Sequence, residues 1–216
     1  MAGGSAAPVA AGPLPLPGLG AVILAGGRGR RLGGADKPAL LVAGRSLLAV
    51  ALAAADGGPI VVVGPARDLP PGVRGVREQP AGGEPAAALA AGFAALPPLS
   101  PGALVAVLAA DLPGIAAGTV ARLRTALPAS GPAAGAVLVD ATGHRQQLIG
   151  VWRRAALASA LARRDSWHNI AVRELLAGLP VIEVPGAASE THDIDTPADL
   201  RQWHGQLQGQ CDEPPP

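Results

Sequence analysis

Three stretches of this sequence combine residue types and spacings suited to chemistry on phosphates. The first is Leu24-Ala25-Gly26-Gly27-Arg28-Gly29-Arg30-Arg31-Leu32-Gly33-Gly34-Ala35-Asp36-Lys37-Pro38, which follows the short apolar run Val22-Ile23. Glycines let the backbone approach a ligand closely, and free N–H groups beside Arg and Lys favour an anion. Arginine grips phosphate oxygens bidentately, whereas Lys37 acts as a compact point charge. The second stretch is Leu108-Ala109-Ala110-Asp111-Leu112-Pro113, an acid directly after an apolar run. A carboxylate there suits Mg²⁺, which takes one or two carboxylates together with substrate phosphates and water. A helix or turn cap is the alternative, and weaker, reading of Asp111 by residue type. The third is Asp193-Ile194-Asp195-Thr196-Pro197. Thr196 and Pro197 read as the cap and first position of a helix. Asp193 and Asp195 stand at alternate positions, so in an extended segment they project to one side and repel unless a cation lies near.

Two familiar glycine loops are excluded. A P-loop needs Gly-Lys-Ser/Thr, and here Lys37 lies between Asp36 and Pro38. A dinucleotide fingerprint needs Gly-x-Gly-x-x-Gly, and the run from Gly27 to Leu32 lacks the last glycine while arginines crowd the place of a diphosphate.

Composition sets the frame around these stretches. The 216 residues suit one domain with a substantial core. Hydrophobic residues make up 49% but aromatics only 2%, so Ala, Val, Leu and Ile must fill that core. A net charge of +1 gives no global field for nucleic acid or an anionic membrane. The single cysteine, Cys211, excludes a disulfide framework and a cysteine-based zinc site, and a reducing cytoplasm is the simple inference. Four histidines lack zinc-like spacing. No apolar run reaches a membrane span, and no basic region precedes the Ala/Pro/Gly start.

The elements that must position the three stretches alternate along the chain. Residues 1–18 read as a disordered Ala/Pro/Gly leader, 19–205 as the single domain and 206–216 as a disordered tail. Strands are expected at Val22–Ala25, Ile60–Val63, Val73–Arg77, Leu104–Leu108, Ala136–Val139, Leu148–Trp152 and Val181–Val184. Helices are expected at Ser46–Ala55, Glu84–Leu96, Ala116–Leu127, Arg154–Arg163, Ile170–Ala177 and Pro197–Gln206. This alternation predicts an α/β fold, a Rossmann-like three-layer sandwich with a mostly parallel sheet. Ligands in such sheets sit beyond the carboxyl ends of the strands. The glycine loop follows the first strand, Gly64 the second, Glu78 and Gln79 the third and Asp111 the fourth, so all four should line one edge.

The glycine stretch resembles the signature loop of nucleotidyltransferases that activate sugars and cofactors with nucleoside triphosphates, and most closely that of the molybdenum cofactor guanylyltransferases. The resemblance extends from about residue 20 to 204. It implies Mg²⁺-dependent transfer of GMP from GTP to the phosphate of molybdopterin, with pyrophosphate leaving. By the same resemblance Leu24, Ala25, Gly26, Gly27, Lys37, Gly64, Gln79 and Asp111 bind nucleotide. Lys37, Arg31 and Asp111 serve catalysis, and Asp111, Asp193 and Asp195 hold the metal. Gly26-Gly27, rather than Ala-Gly, is the variant associated with guanine. The sequence departs from the pattern at Gly64, where Asn is common, and at Gln79, where Asp is common. Arg145, Arg164, Trp167 and His168 fall where the family handles its pterin. Expected partners are thus the small molecules GTP and a molybdopterin-type cofactor, without nucleic acid or membrane; the oligomeric state is left open, a monomer being compatible with the sequence. A sister transferase for another base or acceptor, or a GTP-binding regulator that has lost turnover, is the alternative.

Overall fold

The structure, a computed structural model, is described over residues 18–26, 33–55, 57–82, 84–100, 102–128, 131–164, 166–167 and 170–211, with the backbone alone at 204 and 206–211. Nine strands and seven helices are found among the described residues. Seven strands form one sheet: β1 (Leu19–Leu24), β4 (Ile60–Val63), β5 (Val73–Val76), β6 (Leu104–Ala109), β7 (Gly135–Val139), β8 (Arg145–Arg153) and β9 (Val181–Pro185). Their spatial order is β5-β4-β1-β6-β8-β7-β9. Neighbours are parallel except where β8 runs antiparallel between β6 and β7. The mostly parallel α/β sandwich expected from the sequence is therefore the fold.

Strand β1 shows why its sequence is an unbroken apolar run: all six residues are buried, with layers on both faces. Ala21 and Ile23 join Leu104, Ala106 and Leu108 of β6 in one core, covered by α1 (Leu47–Ala54) and α3 (Ala117–Ala126). Val22 and Leu24 join Val105 and Val107 in the opposite core, covered by α2 (Pro85–Ala95), α4 (Arg154–Ala162) and α5 (Val172–Leu175). Few aromatics are needed because the helices lie close. A Cβ at Gly92 of α2 would stand 2.4 Å from Val22 Cγ1 and 2.7 Å from Val63 Cγ2. Trp152 is fully buried in the second core, and Trp203 is buried elsewhere.

Three pieces were not anticipated. A hairpin of two-residue strands, β2 (Leu41–Val42) and β3 (Arg45–Ser46), follows a 3₁₀ turn at Lys37–Ala39. A one-turn helix α6 (Ala188–Thr191) precedes the acidic stretch. The last helix, α7 (Pro197–Cys211), continues beyond Gln206. The hairpin and α7 serve a third, small core of Val42, Leu47, Ile194 and Trp203. No helix among the described residues is long and apolar enough to cross a membrane.

Candidate active site

The four parallel strand ends are laced edge to edge by backbone hydrogen bonds. The Ala110 N–H donates to Leu24 O at 3.0 Å, the Ala25 N–H to Val63 O at 2.8 Å, and the Gly64 N–H to Val76 O at 3.0 Å. Ala25–Gly26, Gly64, Glu78 and Asp111 are thereby presented along one edge. The strand order reverses between β1 and β6, the switch point where open α/β sheets leave a crevice. Among the described residues no atom lies within 4 Å of the place a Cβ at Gly26 would occupy.

Asp111 follows β6, and its backbone carbonyl accepts a hydrogen bond from the Ile194 N–H at 3.0 Å. Ile194 is fully buried in the third core, which pins the Asp-Ile-Asp segment by its middle residue. Alternation then turns the flanking side chains the other way. Asp111, Asp193 and Asp195 each offer a carboxylate oxygen within 4.8 Å of the others. The start of α7 braces the segment: Asp199 Oδ2 accepts from the backbone N–H groups of Asp195 (3.0 Å) and Thr196 (2.6 Å), and the Asp199 N–H donates to Thr196 Oγ1 (3.2 Å). This reciprocal cap fixes Asp195 from behind.

Lys37, at the start of the 3₁₀ turn, points into the acids. Its ammonium donates to Asp195 Oδ1 and lies 3.6 Å from Asp111 Oδ2. Burial opposes the lysine's charge, but the bond to Asp195 and the carboxylates of Asp111, Asp195 and Asp193 outweigh it and hold its pKa above the ordinary value. Burial raises the Asp111 pKa, with Asp193 and Asp195 adding to the rise and Lys37 opposing it. The donor set is all oxygen and clustered, with one lysine beside it among the described residues. Such a set suits a hard divalent cation of the Mg²⁺ or Mn²⁺ kind.

Beside the acids lies a cleft of about 270 Å³ lined by Asp111, Gln146, Leu148, Ile149, Thr191 and Asp193. Gln146 is steadied by Asp140 Oδ2, which accepts from its Nε2 at 3.0 Å. Below the cleft, α6 is fastened by Glu190, which accepts from Arg122 Nη2 at 2.8 Å, from the Ala187 N–H at 2.8 Å and from Thr119 Oγ1. Burial works against the Glu190 charge, but the bonds from Arg122, Thr119 and Ala187 prevail and its pKa lies below the usual carboxylate value. Its contribution to stability is therefore full above the unfolded pKa near 4.3 and is lost as pH falls through the folded value. Glu190→Ala should cost about 2 kcal/mol at pH 7 and less at pH 3, read by urea unfolding at the two pH values.

The remaining expected site residues fall as follows. Leu24 is the last residue of β1 and is buried in the second core. Gly27, Arg31 and His168 lie outside the described residues. Gln79 is exposed, while its neighbour Glu78 is 5% exposed. Glu78 Oε1 accepts from the Gly82 N–H at 2.8 Å, and its buried Oε2 has no hydrogen-bond partner among the described residues. Sequence reasoning weighed Gln79 here, and only burial singles out Glu78. At Gly64 a Cβ would stand 2.5 Å from the Ala25 carbonyl oxygen, so the strand end has no room for a side chain. Arg145 pairs with Glu183 at 2.6 Å and Arg164 with Glu174 at 3.1 Å, and Trp167 packs against the second core.

Sequence reasoning also missed Arg67. From the loop after β4 its guanidinium reaches Asp36 and the Ala25 carbonyl. No local pattern reveals a partner 31 residues away.

Residues 21–180 match the family model of the MobA-like NTP transferase domain. Among solved structures, Rv0371c of Mycobacterium tuberculosis H37Rv superposes with a TM-score of 0.67 at 23% identity, over 88% of this chain and 100% of that one. The molybdopterin-guanine dinucleotide biosynthesis protein A of Archaeoglobus fulgidus gives 0.64 at 17% identity, over 88% and 99%. The 2-C-methyl-D-erythritol 4-phosphate cytidylyltransferase of Thermus thermophilus gives 0.62 at 25%, over 87% and 98%. Rv0371c has also been solved as a manganese complex. No curated protein matches the chain by sequence. With most of its length covered by that model and its fold shared with these structures, the chain belongs to the MobA-like nucleotidyltransferase family.

Proposed function

We propose that the protein transfers GMP from GTP to the terminal phosphate of a molybdopterin-type cofactor and releases pyrophosphate. The observation that carries the transfer reaction is the meeting of Lys37 with Asp111, Asp193 and Asp195 at the strand edge beside Ala25 and Gly26. A phosphate oxygen of the acceptor attacks the α-phosphorus of the nucleotide. The bond from that phosphorus to the bridging oxygen breaks, and the electron pair leaves with pyrophosphate. No protein nucleophile is required, so the residues act by positioning and by neutralising charge. Lys37 answers charge on the triphosphate, and the loop from Ala25 presents backbone to it. Asp111, Asp193 and Asp195 would hold Mg²⁺, which supplies Lewis-acid polarisation of phosphoryl oxygens when bound.

Support for guanine comes from the Gly26-Gly27 pair, the variant that the sequence resemblance associates with guanine nucleotides. Support for the acceptor comes from the sequence resemblance and from the fold shared with the Archaeoglobus protein. The cleft beside Asp111 and Asp193 is the proposed acceptor side, with Arg145 on the strand that carries Gln146. Arg164 and Trp167 remain candidates for the pterin. A cytidylyl transfer is the second reading, favoured by the fold shared with the Thermus cytidylyltransferase.

The deciding experiment is pyrophosphate release by the purified protein with Mg²⁺ and each of GTP, CTP, ATP and UTP, with and without molybdopterin. Release with GTP that requires molybdopterin is expected. Release with CTP alone moves the protein to the sister reaction. Tight GTP binding without release moves it to a regulator.

A further inference from the structure

Ala25 and Asp36 bracket the glycine-rich segment, and a single side chain from another loop holds both. Arg67 Nη2 donates to the Ala25 carbonyl at 3.0 Å. Its Nη1 and Nη2 donate to Asp36 Oδ2 and Oδ1 at 3.1 and 3.3 Å, a two-pronged guanidinium–carboxylate pair. The Arg67 side chain is 13% exposed, although Asp36 is 54% exposed. Asp36 precedes Lys37 and makes no side-chain cap to its own 3₁₀ turn. Its carboxylate is committed to Arg67 instead. Gly64, three residues before Arg67, lies so close to the Ala25 carbonyl that no side chain fits between. The loop after β4 can therefore press against the strand end and deliver the guanidinium there.

We infer that Arg67 is a positioning residue for nucleotide transfer: by joining Ala25 to Asp36 it sets the span of the glycine-rich segment and the placement of Lys37. This rests on the nucleotidyl-transfer reading above. An ion pair with a largely exposed partner does little for global stability. Its consequence is local, because Lys37 is one residue from Asp36 and must meet two carboxylates on other elements. Both terminal nitrogens of Arg67 are bound to protein, and through those bonds the side chain acts on the Ala25 backbone and, by way of Asp36, on Lys37.

Two properties of the full-length protein test this together. Arg67→Met and Asp36→Asn should each raise the KM for the nucleoside triphosphate about tenfold or more. The acceptor KM and the melting temperature should stay as in the parent. The double variant should lose no more than the worse single one, since the two side chains act as a unit. Arg67→Lys should recover only part of the loss, because an ammonium cannot reproduce the fork. Additive losses in the double variant would overturn the inference, as would an unchanged nucleotide KM in Arg67→Met. Independently of turnover, amide hydrogen exchange over residues 33–40 of the free protein should quicken in both single variants, and unchanged exchange would also overturn it. If the parent releases no pyrophosphate with any nucleotide, the transfer reading fails while the exchange measurement still decides the clamp.

Discussion

Asp111→Asn is expected to lower pyrophosphate release by about a thousandfold or more while melting no earlier than the parent. The two halves have separate causes. Asp111 contributes one of three carboxylate oxygens gathered within 4.8 Å, and an amide there removes a negative charge from a site built of oxygen donors alone. Stability runs the other way. Burial and the neighbouring acids raise the Asp111 pKa in the metal-free protein. A carboxyl with a raised folded pKa stabilises the fold below its unfolded value and becomes a liability as pH rises through the folded one. A neutral amide of the same shape escapes that liability. The measurements are steady-state turnover and thermal melting without divalent cation, and turnover near the parental rate would remove Asp111 from the proposed metal set.

Lys37→Met should lower turnover by about a hundred- to a thousandfold and raise the nucleotide KM with it. It should also make the fold depend on divalent cations. Among the described residues Lys37 is the cation that pairs with Asp111 and Asp195, and it is only 15% exposed. Without it three carboxylates face one another, and about 1–2 kcal/mol of stability should be lost at low divalent ion. Millimolar Mg²⁺ or Mn²⁺ should then raise the melting temperature of Lys37→Met further than that of the parent, because binding to the folded state alone adds stability by mass action. Equal shifts in the two proteins would mean that lysine and cation do not share a site.

The parts of this arrangement visible in the sequence are those governed by local rules. Strands β1, β4 and β6 are buried on both faces, so they stand out as apolar runs that stop at Ala25, Gly64 and Ala110. Once those runs are parallel neighbours, Asp111 and the glycine loop must share an edge. Pairing across distance is what the chain does not advertise. Nothing local distinguishes β8 as antiparallel, since its run of consecutive buried residues would serve either direction. The β2/β3 hairpin is too short to show a period, and α6 is a single turn. Arg67 reads as one more charged loop residue until its partners across 31 and 42 positions are seen. Glu78 and Gln79 differ by burial, a property of packing rather than of residue type. Arg145 and Arg164 read as free cations in a sequence, and their partners Glu183 and Glu174 become apparent only when β9 and α5 are in place.

The acidic cluster joins the middle of the chain to its later part. Lys37 and Asp111 emerge early in synthesis, but Asp193 and Asp195 lie beyond β9, and Ile194 between them is seated partly by Trp203 of α7. A nascent or prematurely terminated chain ending after β9 would carry every strand of the sheet, the glycine loop and the lysine, yet only one of the three acids. The acids are thus gathered only when the segment after β9 has folded back onto the end of β6, so the site is among the last parts of the fold to be assembled.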